Sequence, residues 1–242
     1  MLRARLLGPL AVEIDGRPLP PLPGLRPRSL LAHLLLSPGP HPRTRLAGAF
    51  WPDVLETSAR ASLRSALWSV RAALDAVGGG AYLAADRASA GIDPALPREV
   101  DLEEFRRLET SDDPADLERA VALGERPLLA DLADEWVLDA RSAHRERVVA
   151  AVERLARLAD ERGDLDAALR WTRRLLELDR LHEGAYRALM DRLARAGERA
   201  RALEAYRRCR AVLAAELGVP PSAETRALAE RLRAGAPAGE PA

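Results

Sequence analysis

The sequence predicts a mainly α-helical chain in two parts, and three observations carry that reading. Apolar residues recur at the 3–4 spacing of amphipathic helices over most of its 242 residues. In the first part, short strand-like runs with turn signals bracket three helices. In the second, two stretches of helix repeat at an offset of 34 residues. Strands, three helices and a hairpin, in that order, match a winged helix-turn-helix with an added N-terminal β-sheet. The repeat matches tetratricopeptide-like helix pairs.

The elements follow from local signals. LRARLLGPLAVEI reads as β structure and turns at Asp15-Gly16; prolines 18, 20, 21 and 23 end that region. A helix begins near Pro27, runs through RSLLAHLLL and stops at Pro38-Gly39. A short second helix fits 44–50 and is ended by Pro52. The third covers 57–77, with Thr57 or Ser58 as its cap and Leu63, Leu67, Val70 and Leu74 on its buried face. A hairpin over 81–93 turns at Asp86-Arg87. Pro94 and Pro97 mark a boundary, giving domains 1–98 and 99–235 and a flexible tail at 236–242. Helices are expected at 101–109, 114–123, 138–162, 165–178, 182–195, 199–215 and 222–233. In the repeat Gly163 matches Gly197, Ala168 matches Ala202 and Leu169 matches Leu203.

Composition narrows the function classes. The chain is 48% hydrophobic and 31% charged, enough apolar residue to build a core. Every basic side chain apart from histidine is arginine, and there is no Lys, Asn or Gln, a pattern that fits a GC-rich bacterial gene. Net charge is zero but uneven: residues 1–98 hold 12 Arg against 7 acids, and residues 99–242 hold 25 against 30. A basic binding module joined to an acidic one is implied. Cys209 is the sole cysteine, which fits a reducing compartment. Gly8-Pro9, Glu13 and Asp15 interrupt any signal-peptide core, and SLLAHLLL at 29–36 is too short to span a bilayer. A soluble, cytoplasmic protein with no membrane partner is expected.

The third helix carries the sharpest candidates. Arg64, Trp68 and Arg71 stand at i, i+4 and i+7, on one side, away from the apolar face. By itself such a face is a solvated surface. Its place as third helix before a hairpin is where a winged helix keeps the helix that enters the major groove. Arg64 and Arg71, then Arg60 and Ser65, are the candidates for base or phosphate contacts. Trp68 either packs on a sugar or thymine methyl or sits at the rim against the hairpin. Arg87 at the hairpin tip suits the minor groove or a phosphate, or is a plain turn residue. Arg43 and Arg45 open the second helix, where free N–H groups also favour phosphate. Arg26 and Arg28 are weaker candidates of the same kind.

Catalytic signals are missing. HEGAY at 182–186 has Tyr186 where a zinc motif needs its second histidine. Histidines 33, 41, 144 and 182 have no metal spacing, and GGG at 78–80 leads into no phosphate-loop motif. The sequence therefore points away from an enzyme and implies no cofactor and no metal. The apolar faces of the helical half suit either self-packing or a protein-binding or dimerising surface.

The order of parts resembles the SARP-type transcriptional activators, which join an OmpR-like winged helix to a bacterial transcriptional activation domain of tetratricopeptide-like helices. The segments that carry the resemblance are LLGPLAVEIDGRPL (6–19), RTRLAGAFWPD (43–53), ARASLRSALWSVRAAL (59–74), LAADRASAGID (83–93), VDLEEFRRL (100–108), DEWVLDARSAHRER (134–147) and ELGVPPSAETRAL (216–228). Members of similar type often carry asparagine where Ser62 stands. The resemblance implies binding to double-stranded promoter DNA, often at direct repeats. It also implies activation through contact with RNA polymerase holoenzyme, with the 59–77 helix as reader and a homodimer on DNA as one arrangement. The chain would be a short member, with no receiver region before it and no ATPase or sensor region after it. Two other readings stay open: a tetratricopeptide-like protein-binding adaptor, and a ligand-responsive repressor holding a small molecule between helices of 100–235.

Overall fold

The computed structural model describes residues 1–235. The tail expected at 236–242 lies outside the described residues. The chain forms two compact units: Met1–Leu108 with Ala122–His144, and Glu109–Val121 with the chain from Arg145 onward.

In the first unit, β1 (Leu2–Arg5) and β2 (Ala11–Ile14) pair antiparallel, with Leu2 opposite Ile14. Leu2 and Ala4 point inward while Arg3 and Arg5 face out, the period of two that a half-buried sheet requires. Asp15 and Gly16, at φ 50° and 77°, make the tight turn into β3 (Arg17–Pro18). Three helices follow: α1 (Leu25–Leu36), α2 (Arg43–Phe50) and α3 (Glu56–Ala76). Between α1 and α2 lies β4 (His41–Pro42); after α3 come β5 (Leu83–Ala85), β6 (Ser89–Ile92) and β7 (Arg98–Val100). One sheet has the order β3-β2-β1-β7 and the other β4-β6-β5. Leu30, Leu31, Leu34 and Leu35 of α1 pack in the core with Leu46 and Phe50 of α2 and Leu63, Val70 and Leu74 of α3.

Three details differ from the sequence reading. α3 starts at Glu56, and neither Thr57 nor Ser58 caps it; the Leu55 carbonyl already accepts the Ala59 N–H at 2.9 Å, so both residues lie inside the first turn. α1 starts at Leu25, which places Pro27 within the first turn, where its missing N–H costs nothing. Strands β4 and β7 are too short to show periodicity, yet β7 pairs parallel with β1 and β4 pairs with β6.

Contacts also do not divide at residue 98. Asp101, the first residue of α4 (Asp101–Leu108), accepts the N–H groups of Leu6 and Leu7 at 2.7 and 3.0 Å. Asp131 accepts the Leu10 N–H at 2.8 Å and pairs with Arg28, and the Leu129 N–H donates to Leu6 O at 2.7 Å. The Trp136 indole N–H donates to Ser29 at 3.1 Å. These bonds draw residues well past 98 into the first unit.

The division between units falls within α5 (Pro114–Gly124) and α6 (Glu135–Glu161). The second unit continues with α7 (Leu165–Leu178), α8 (Glu183–Arg195), α9 (Arg199–Leu217) and α10 (Ala223–Ala234). The 34-residue repeat is visible as backbone geometry. Gly163 and Gly197 have φ 72° and 77°, and the following N–H groups reach back to Ala159 O at 2.9 Å and Leu193 O at 2.8 Å. Ala168 and Ala202 are both fully buried, and small residues there let neighbouring helices approach. Arg192 is 8% exposed. Its guanidinium bonds Asp160 at 2.7 Å, Ala156 O at 3.3 Å and the Thr172 hydroxyl; Arg195 reaches the other Asp160 oxygen at 3.0 Å.

In each unit a partly buried group links ionisation to stability, His33 in the first and Asp160 in the second. Burial, then the charges of His41 and Arg45, push His33 from 6.5 to about 4. Its ring lies edge-on to Phe50 and Trp136 at 5.5 and 5.1 Å. Burial raises the Asp160 carboxyl, but hydrogen bonds and charge from Arg192 and Arg195 outweigh it and hold the group below its ordinary value. Between pH 6.5 and about 4 the unfolded chain binds a proton at His33 that the folded chain does not, so stability falls as pH drops through that window. The Asp160 contribution is present above the ordinary carboxylate pKa and is lost only at more acid pH, as the folded group protonates. Urea melts across pH should show two separate losses. His33→Phe should flatten the first, and Asp160→Asn the second while lowering neutral-pH stability by about 3 kcal/mol.

Candidate nucleic-acid interface

The second helix pair of the first unit and the β5–β6 hairpin carry the predicted residues. α3 buries Leu63, Leu67, Val70 and Leu74 and turns Arg60, Arg64, Ser65 and Trp68 outward. Trp68 is 71% exposed, so it does not pack against the hairpin. Arg64 and Ser65 are exposed, and Arg64 makes no ion pair among the described residues. Arg60 makes an exposed i,i+4 pair with Glu56, a contact that water screens and that an anion can displace.

Arg71 is placed differently from the sequence reading. It is half-buried, and its guanidinium donates to Gly80 O at 2.6 Å and to Leu83 O. It stands at the margin of the exposed face and reaches the hairpin, whose carbonyls arrive within range of its fork. Arg43 is also half-buried. Its N–H donates to Ala88 O at 2.9 Å, and its Nε reaches Ser89 O at 3.5 Å. The hairpin is therefore held by α3 through one arginine and by the start of α2 through another. Arg26 pairs with Asp134 and Arg28 with Asp131, which gives both of these weaker candidates protein partners. Arg45 and Arg87 are exposed.

Several residues that shape this surface were not picked out from the sequence. Asp86 accepts the N–H groups of Ala88 and Ser89, both at 2.7 Å, closing the turn that presents Arg87. These backbone bonds, Ser89 first, hold its carboxyl below the usual range. The signal was present, since aspartate opening a turn commonly bonds the backbone two residues on. Gly91 sits where a Cβ would come within 1.7 Å of Gly39 O, so only glycine lets β6 pass the turn after α1. The Tyr82 hydroxyl accepts the Leu2 N–H at 2.9 Å and donates to Pro97 O at 2.8 Å, joining hairpin to sheet. Among the described residues no group of His, Cys, Asp and Glu could hold a metal, and no helix is long and apolar enough to cross a membrane.

The same chain holds a strand-flanked trihelical core, with an exposed arginine face and a clamped hairpin, and a helical array. A family model described as "Bacterial transcriptional activator domain" matches residues 100–233. The chain belongs to that family. Among solved structures it is similar to Mycobacterium tuberculosis EmbR, determined in complex with a low-affinity phosphopeptide, with a TM-score of 0.75 and 28% identity. The match covers 98% of this chain and 66% of that one, so the chain spans just under two thirds of EmbR's length. A search of curated protein sequences gives no match. Its architecture is that of the SARP type, a winged helix joined to a helical domain.

The two arginines on α3 should separate in stability measurements. Arg71→Ala leaves two hairpin carbonyls without their charged donor and should cost about 1–3 kcal/mol in denaturant melts. Arg64→Ala removes a solvated side chain and should change stability by less than about 0.5 kcal/mol.

Proposed function

We propose that the protein is a transcriptional activator that binds double-stranded promoter DNA through residues 1–98, with α3 in the major groove and the β5–β6 hairpin along the backbone or minor groove. Residues 99–235 are the part that offers a surface to RNA polymerase holoenzyme and to a second copy of the chain on DNA. Activation is then a binding coupling, in which the protein holds polymerase at a promoter it occupies weakly alone. No chemical step is required, and the site of action is the cytoplasm, where promoter DNA is found.

One observation carries the reading: the outward face of α3, where Arg60, Arg64, Ser65 and Trp68 are all exposed on the rigid side of a packed helix. A helix of that diameter fits the major groove, and arginine forks match guanine O6/N7 or phosphate oxygens. Arg45 and Arg87 are the further phosphate candidates. Arg71 and Arg43 act chiefly by holding the hairpin in place for the duplex, since their own donors already meet protein carbonyls. The family and the likeness to EmbR support the same reading at the level of transcriptional activation.

The test is a mobility-shift titration of the full chain over a salt series. Affinity should fall with salt at a log–log slope of about −0.9 per phosphate neutralised. Arg64→Ala should weaken the cognate site by about 1–3 kcal/mol and leave non-specific binding nearly unchanged if it pairs with a base. An equal loss on every sequence makes it a phosphate contact. Absence of any salt-dependent DNA binding removes the proposal and leaves the protein-binding adaptor.

A further inference from the structure

A cavity in the second unit takes no part in the reading above. It lies among α7, α8 and α9 and has a volume of about 440 Å³. That is within the roughly 300–1,000 Å³ range of small-molecule sites and too small for a folded partner. Arginine is concentrated there: Arg173 of α7 and Arg201 and Arg208 of α9 line it against a single carboxylate, Glu204. Arg201, Glu204 and Arg208 stand at i, i+3 and i+7, so one helix face delivers all three. Arg201 is paired with Glu198 at 2.6 Å. Arg173 and Arg208 have no carboxylate partner among the described residues. The apolar part of the lining is Leu189 and Leu193 of α8, with Leu176 of α7 and Ala205 of α9.

Tyr186 of α8 also lines the cavity, although the residue is 1% exposed. Its hydroxyl is buried and makes no hydrogen bond of ordinary geometry. Burial pushes the phenol up, while the positive charge of Arg208 and a long hydrogen bond from its guanidinium pull the other way. Arginine can only donate, so the phenol proton has no acceptor; buried hydroxyls in folded proteins are nearly always satisfied, and this one, beside two guanidiniums without a carboxylate partner, marks a place for an acceptor supplied from outside. An acceptor that suits two arginines and a phenol is an anion.

We propose that this cavity binds a small organic anion. A carboxylate or phosphate head is held by Arg173 and Arg208 and receives the Tyr186 hydroxyl, and an apolar body lies against Leu189 and Leu193. The site gives the helical half of an activator a means of sensing a metabolite of that chemistry. It does not depend on the DNA-binding surface, so either reading can fail alone.

The test uses the full chain with phenyl phosphate and benzoate as probes, followed by thermal melts and by amide chemical shifts. Either probe should raise Tm saturably at millimolar concentration and shift resonances confined to α7–α9. Arg173→Ala and Arg208→Ala, both at exposed positions, should keep the unliganded Tm and weaken binding at least tenfold. Tyr186→Phe should fold normally and weaken binding several-fold. No saturable shift with either probe, or binding unchanged in both arginine variants, overturns the proposal.

Discussion

The first unit turns on one guanidinium. Arg71 reaches from α3 to the carbonyls of Gly80 and Leu83, one on each side of the point where the chain enters β5. Arg43 holds the far strand of the same hairpin, and Tyr82 ties its base to the sheet. Gly91 allows β6 to approach the turn at Gly39 closely enough for these bonds to form. The hairpin and α3 therefore move as one piece. A surface built this way is pre-ordered for the docking proposed above, and lost ordering entropy is a main cost of association.

A chain whose cations are, histidine apart, all arginine poses a particular problem for reading function from sequence. A guanidinium with five N–H donors can bind phosphate, a guanine edge, a carboxylate or a row of carbonyls with equal ease. Spacing puts Arg64 and Arg71 on the same side of α3, and only the position of the hairpin separates them. Arg141 shows the internal use fully developed, bonding the carbonyls of Leu128, Leu129 and Leu132 at 2.7, 2.5 and 2.8 Å. Arg192 of α8 is also held internally, by the Asp160 carboxylate and Ala156 carbonyl of α6 and the Thr172 hydroxyl of α7. Partners and burial sort these residues, and neither is a local property of the sequence.

The helices and their buried faces were legible because periodicity is local: Leu63, Leu67, Val70 and Leu74 are the residues α3 buries. The 34-residue repeat was legible as well, and it appears as two left-handed glycines followed by the same reach-back bond. Strands β4 and β7 were not, since they exist only through their neighbours. The start of α3 was missed because serine and threonine cap helices often enough to suggest it, while the decisive bond was Leu55 to Ala59. The position of the unit boundary depends on Asp101 and Asp131, whose partners lie about a hundred residues away in sequence. The exposed part of the candidate site, Arg60, Arg64, Ser65 and Trp68, could be read from helical phase alone; the hairpin clamp could not.

Trp68 has a consequence of another kind. Of the four tryptophans it is the exposed one, while Trp51, Trp136 and Trp171 are each partly sheltered by the fold. An indole in water emits at long wavelength, and one covered by a surface emits at shorter wavelength or is quenched. The helix thus carries its own optical reporter at the centre of its outward face, where any body that covers the arginines must also change the light the protein gives off.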